Sequence, residues 1–272
     1  MGATLSPRLQ IIGILNVTPD SFSGDGVHLD LGAALTQAER LIEEGADILD
    51  VGGESTRPGS DPVPLDEELR RVMPLIEGIR KKSGIPISID TYKAETAKRA
   101  LSAGANIIND ISALRYDPDM IDLVAASGAP IILTHMNGDP KTMQDNPVYE
   151  DVVREVSDFF QERIGILTAR GVPKEKIIID PGIGFGKTRR HNLSLLKHLD
   201  AFTTLGCPVL LSHSRKRFLG GLTGTTDPQE RDLPTAVVAA LAAAKGIAMV
   251  RVHNVAFTRQ ALVVAEAIAA AQ

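Results

Sequence analysis

Residues 84–90 read "GIPISID": a glycine, an apolar residue, then a short β-branched run that ends on an aspartate. A glycine just past a helix end accepts the left-handed conformation that closes the last turn, so this order marks a helix giving way to a strand. The same order recurs along the whole chain. Gly45-Ala46 precedes "DILDV", Gly104-Ala105 precedes "NIIND", Gly128-Ala129 precedes "PIILTH", Gly171-Val172 precedes "KIIID", Gly206-Cys207 precedes "PVLLS" and Gly246-Ile247 precedes "AMVRVH". With an opening strand at Ile11 to Leu15 these junctions give eight strand–helix cycles, the repeat that a parallel sheet requires.

The intervening segments have helical spacing. Leu31, Ala34, Leu35, Ala38, Leu41 and Ile42 fall three and four residues apart, as do Leu65, Leu69, Val72, Met73 and Ile76, with Pro74 as a point where the second helix would kink. The longest helix is predicted over 148–171, and two alanine-rich helices, 233–246 and 255–271, close the chain. Each apolar run ends in a polar residue: Asn16, Asp50, Asp90, Asn109, His135, Asp180, Ser212 and His253. In an eight-fold barrel all these ends meet on one face, where such folds build their sites. A doubly wound sheet would gather its ligand at a single switch point instead. The fold expected is therefore an α/β (β/α)8 TIM barrel, one domain over 1–272.

Composition sets the outer bounds. The 272 residues are 43% hydrophobic and 23% charged, ordinary for a soluble globular protein. A net charge of −5 argues against nucleic-acid partners, and no stretch reaches membrane-spanning length. One cysteine, Cys207, leaves no internal disulfide, so a cytoplasmic location is expected.

The rim divides chemically. Arg57, Arg215, Lys216, Arg251 and His253 gather cationic groups around strands seven, eight and one, where barrels often hold phosphate. Asn16 offers a neutral oxygen suited to Mg²⁺, which binds diphosphates with few protein ligands. Asp90, Asn109 and Asp180 offer acceptors to a planar heterocycle with N–H donors. Other chemistries fail on spacing. "GIGFGKT" ends like a phosphate-binding loop, but Pro181 stands where its first glycine belongs. "SHSRK" lacks the glycine-flanked serine of a nucleophile elbow, and the histidines lack zinc spacing.

The motifs "ILNVTPDSFSGDG", "DVGGESTRPGS", "SIDTYKAETA", "NDIS", "THMNGDPKTMQ", "IIDPGIGFGKT", "SRKRFLGGLTG" and "RVHNV" together resemble the dihydropteroate synthase family of pterin-binding barrels. The resemblance runs from the first strand to the eighth. It implies condensation of 6-hydroxymethyl-7,8-dihydropterin diphosphate with para-aminobenzoate to give 7,8-dihydropteroate and pyrophosphate, with Mg²⁺ as cofactor, sulfonamides as inhibitors and a homodimer as the assembly. It further implies that Asp90, Asn109, Met136, Asp180, Phe185 and Lys216 bind the pterin, and that Asn16, Arg251 and His253 hold the diphosphate. Asn16 would also reach the metal. Phe22, Thr56, Arg57, Pro58 and Ser214 would form the para-aminobenzoate site. Asp90, Asp180, Lys216, Arg251 and His253 would carry the chemistry, through an SN1-like pterin carbocation. Loops 17–30 and 53–64 are expected to move. Two positions depart from the family pattern: Ser212 stands where glycine is usual, followed by His213, and Asn254 stands where aspartate is usual. The first would narrow the pterin pocket or add a hydrogen bond, and the second removes a carboxylate.

Overall fold

The computed structural model describes residues 8–17, 30–55, 60–139 and 141–271. Eight strands alternate with helices in chain order: β1 Gln10–Asn16, α1 Leu31–Glu43, β2 Ile48–Gly52, α2 Leu65–Lys82, β3 Ile87–Asp90, α3 Ala94–Ser102, β4 Ile107–Asp110, α4 Asp119–Ser127, β5 Ile131–Thr134, α5 Val152–Ala169, β6 Ile177–Asp180, α6 Arg189–Lys197, α7 Leu199–Thr203, β7 Leu210–Ser212, α8 Arg217–Thr223, α9 Asp232–Ala243, β8 Met249–Val252 and α10 Val255–Ala270. All ladders are parallel, in the order β6-β5-β4-β3-β2-β1-β8-β7. A single parallel bridge between Ile179 and Val209 joins the two ends, with Ile179 N–H donating to the Pro208 carbonyl at 2.9 Å. The barrel is nearly closed, as the eight-fold repeat predicts.

Six of the seven junction glycines have positive φ, from 65° at Gly128 to 108° at Gly104. Gly84 does not, because α2 ends on an extended Ser83 (φ −147°) and needs no left-handed residue. Helix α2 runs through Pro74 without a break. Helix α5 starts at Val152, later than its apolar pattern suggests, because the Asp151 side chain accepts from Val153 and Arg154 N–H and fixes the first turn there.

Alternation along each strand decides what enters the lumen. Ile12, Ile48, Ile107, Ile132, Ile178 and Leu210, with Met249 against them, form one apolar layer separate from the main core. Their neighbours Ile11, Leu49, Ile108, Ile131, Leu133, Ile177, Ile179, Leu211 and Val250 face the helices. Two residues further along, the same inward face carries Asp50, Asn109, Thr134, Asp180, Ser212 and Arg251, and Asp90 ends β3 paired with Gly52 on β2 and Asn109 on β4. The apolar layer is thus a floor, and the polar layer stands on it. Among the described residues no helix is long and apolar enough to cross a membrane.

Candidate active site

Arg251 lies at the centre of the polar layer. Its Nε donates to Asp50 Oδ2 at 2.6 Å and its Nη2 to Asp90 Oδ2 at 2.7 Å. Asp50 is fully buried and also accepts from Asn109 Nδ2 at 3.3 Å. With its amide nitrogen so engaged, Asn109 keeps its oxygen available as an acceptor. Asp50 had no role in the reading of the sequence, yet it tethers both Arg251 and Asn109. Taking two charges from water is costly, and such a pair is favourable only with good geometry and further hydrogen bonds, which this cluster provides.

The carboxylates sit in an unusual field. Burial above all, with the charges of Asp50, Glu68 and Asp110, pushes Asp90 up to about 7 against the pull of Arg251. Burial likewise raises Asp180, opposed by the Gly182 N–H, Lys216 and the Ser212 hydroxyl. Lys216 shows the converse. Burial lowers it to about 7, with Asp180 holding its charge and Arg251 acting against it. Lys216 Nζ stands 3.8 Å over the centre of the Phe185 ring, a contact worth about 2 kcal/mol when water is excluded. Phe185 packs with Met136 and Met143 in a small apolar cluster.

Not every rim position faces inward. His135 points away from the lumen, its ring edge-on to Phe159 with centroids 4.8 Å apart, because Thr134 takes the inward position on β5. Arg215 is bound by Asp232 through two bonds of 2.6 and 2.8 Å and does not join Lys216. The Ser214 hydroxyl accepts from the His253 backbone N–H at 3.0 Å and lies 2.9 Å from His253 Nδ1, so it is tied to His253. Ser212 adds a hydrogen bond to Asp180. His213 is fully buried and turned toward the Thr235 carbonyl at 2.8 Å, outside the lumen; burial lowers it to about 4. Phe22, Thr56, Arg57 and Pro58 lie outside the described residues, as do most of loop 17–30 and part of 53–64.

The segment before Thr56 is nevertheless anchored. Glu54 accepts from Lys93 Nζ at 2.6 Å, from Tyr92 Oη at 3.0 Å and from Val63 N–H at 3.2 Å. Lys93 also bonds buried Glu68 at 2.9 Å. Asn16 ends β1, and Gly52 keeps the space beside it open. A Cβ there would stand 3.4 Å from Asn16 Oδ1 and 3.3 Å from Asp90 Cβ. Among the described residues no three His, Cys, Asp or Glu side chains form a metal centre.

A family model for "Pterin binding enzyme" matches residues 12–253. The chain is 44% identical to dihydropteroate synthase of Synechocystis over 261 residues, 96% of this chain and 90% of that protein. Dihydropteroate synthase of Xanthomonas albilineans, solved with 4-aminobenzoic acid, superimposes with a TM-score of 0.92 at 47% identity, covering 98% of this chain and 95% of that one. The Yersinia pestis enzyme in a sulfonamide drug complex gives a TM-score of 0.92 at 42% identity, covering 97% and 95%.

The tether makes a direct prediction. Asp50→Ala leaves Arg251 short of a partner in the lumen, so stability falls by about 3–5 kcal/mol. Removing a neighbouring negative charge also lowers the Asp90 pKa from its present value near 7. Denaturant unfolding reads the first effect and carboxyl-carbon NMR titration the second. An unchanged Asp90 titration would refute the coupling.

Proposed function

Since the chain belongs to the dihydropteroate synthases of the pterin-binding enzyme family, we propose that its lumen divides into a pterin half and a diphosphate half. The protein is a transferase that joins 6-hydroxymethyl-7,8-dihydropterin diphosphate to para-aminobenzoate, forming 7,8-dihydropteroate and pyrophosphate. In our reading Asp180, Asn109 and Asp90 accept hydrogen bonds from the pterin edge, Lys216 donates to the ring carbonyl, and Met136 and Phe185 pack on the ring faces. Arg251, His253 and Asn16 hold the diphosphate. The observation that carries this division is the polar layer itself, in which acids held up in pKa and a lysine held down in pKa share one lumen.

The mechanism follows from where charge develops. The C–O bond to the diphosphate breaks, its electron pair leaves with pyrophosphate, and a cation remains at the pterin methylene. Arg251 and His253 stabilise the leaving anion while Asp90 and Asp180 favour the cationic ring. The arylamine lone pair then forms the C–N bond, and the nitrogen loses its proton. No side chain needs to bond covalently to substrate. Asn16, beside the opening left by Gly52, would hold Mg²⁺ together with the diphosphate, where the metal neutralises phosphate charge. A lone amide oxygen suits an ion whose other ligands are substrate and water.

Para-aminobenzoate, and sulfonamides in its place, would sit toward Phe22, Thr56, Arg57 and Pro58, with Ser214 acting at the boundary through His253. We place the enzyme in the cytoplasm, in keeping with its one free, buried thiol, Cys207. We also propose a homodimer. Helices α9 and α10 pack side by side, and their outer faces expose Leu233, Val237 and Leu241 on one and Val263, Val264 and Ile268 on the other. Contiguous apolar surface of this kind marks association sites.

Three outcomes are expected. Purified protein with Mg²⁺, the pterin diphosphate and labelled para-aminobenzoate forms dihydropteroate; absence of product despite pterin binding would overturn the reaction. Burial brings Lys216 down to about 7, so its ammonium is lost as pH rises through 7, and pterin affinity falls between pH 7 and 9 by at most about tenfold per unit. Calorimetry at pH 8 in buffers of different ionisation enthalpy detects greater proton uptake on binding than in Lys216→Met; equal uptake refutes the role. Leu241→Glu shifts the protein to monomer in sedimentation velocity, and a dimer unaffected by it would place the interface elsewhere.

A further inference from the structure

The β6 loop contains a lysine for which the reaction has no use. Lys187, in "GIGFGKT", is 3% exposed and turned inward. Its Nζ lies 2.8 Å from His135 Nδ1, 3.0 Å from the Phe185 carbonyl and 3.3 Å from the His135 carbonyl. Nζ donates to the two carbonyls, and a neutral His135 ring completes the set through a hydrogen bond whose direction follows its tautomer. Burial, then the Lys187 charge, lowers the His135 pKa in the same sense. Among the described residues Lys187 forms no salt bridge. Burial above all lowers the Lys187 pKa well below the usual lysine value; of the charges that face it, Asp180 favours the ammonium, and Lys216 and Arg115 oppose it.

A buried lysine without a carboxylate in contact is a costly way to fill space, and an apolar side chain of the same length would cost less. What it grips is therefore informative. One carbonyl belongs to Phe185 and the other to the residue immediately before Met136. These two side chains form the small apolar cluster beside Lys216. The loops that carry them lie almost in contact. A Cβ on Gly182 (φ +68°) would fall 1.9 Å from the His135 carbonyl oxygen, and one on Gly186 (φ +62°) 2.5 Å from that of Asn137. Tyr149 Oη adds a bond to the Gly186 carbonyl at 2.9 Å.

We infer that Lys187 is a positioning residue that clamps the β5 and β6 loops together, fixing the gap between Met136 and Phe185 and hence the seat of the pterin ring. The inference rests on the reading above that Met136 and Phe185 wall the pterin site. It predicts an effect on one substrate and not the other, which a general loss of stability would not produce. The clamp also holds the Phe185 ring under Lys216, so the donor to the pterin carbonyl depends on it indirectly.

Pterin diphosphate affinity by titration calorimetry, and KM for para-aminobenzoate at saturating pterin diphosphate, test the clamp in Lys187→Met, Lys187→Gln, Phe185→Leu and the Lys187→Met/Phe185→Leu double variant. Lys187→Met should raise the pterin diphosphate Kd about tenfold or more, as loss of several buried hydrogen bonds implies. The para-aminobenzoate KM should stay within about twofold, below the scale of one lost hydrogen bond. Lys187→Gln, which keeps a donor, should recover part of the loss. Phe185→Leu should cost less in the Lys187→Met background than in the unsubstituted protein, since the clamp it depends on is already gone. Unchanged pterin affinity in Lys187→Met, or an equal rise in both constants, overturns the inference. If Phe185→Leu alone leaves pterin affinity unchanged, the pterin-wall reading fails instead. Should the Lys187 variants not fold, His135→Leu removes only the ring partner, and unchanged pterin affinity there overturns the clamp equally.

Discussion

Arg251 is a guanidinium placed inside a barrel, and most of the site is arranged around that fact. It stands two residues above the apolar floor on β8, and β1 alone separates it from β2 and its fully buried Asp50. The register between strands sets this meeting, because a slip of one residue would turn the charge out among the helices. Asp50 then orients Asn109, and Arg251 reaches on to Asp90, so four strands are joined by charged hydrogen bonds. The pair does not explain stability, since hydrophobic replacements of buried ion pairs often do as well or better. It explains why the acceptors of the lumen stay in fixed places.

The same low-dielectric setting shapes every titration around it. Burial is the largest influence on Asp90, Asp180 and Lys216, and in each case it favours the neutral form. Burial brings Asp90 and Lys216 each to about 7, and both stand close to charges of the opposite sign. A ligand with N–H donors, a carbonyl and an anionic tail supplies what each group lacks. In the proposed reaction, such interactions raise the rate only where they are stronger in the transition state than in the ground state.

Much of the fold was legible because it is periodic. The glycine junctions recur, and apolar runs of fixed length end at one face. The site was legible less evenly. Polar strand ends point to one face of the barrel, but only alternation tells inward from outward. His135 ends an apolar run as Asp180 does, yet Thr134 holds the inward position and His135 joins the aromatic packing of α5. Counting two residues on from Ile132 would have found this. Asp50 was visible as a polar interruption in β2, but its partner lies 201 residues away and follows only from barrel closure. Lys187 was read as part of a failed phosphate loop. Nothing in its neighbours says that its side chain turns inward, because that depends on how closely Gly182 and Gly186 let two loops approach.

The exchange of aspartate for asparagine at position 254 shows how such departures should be weighed. The isolated change looks like the loss of a carboxylate near the diphosphate half. In place, Asn254 Oδ1 accepts from Phe257 N–H at 3.0 Å and caps α10, while Nδ2 donates to Asp232 at 2.9 Å. Asp232 in turn binds Arg215 through both oxygens. A carboxylate at 254 could still cap the helix, but it would lose the donor and face Asp232 as a like charge. Its natural partner would then be Arg215, shared between two acids. With asparagine the Arg215–Asp232 pair is complete by itself, and Arg215 stays committed outside the lumen. Lys216 and Arg251 are then the cations of the β7 and β8 strand ends that can face the ligand, so the substitution and the ion pair beside it are one arrangement.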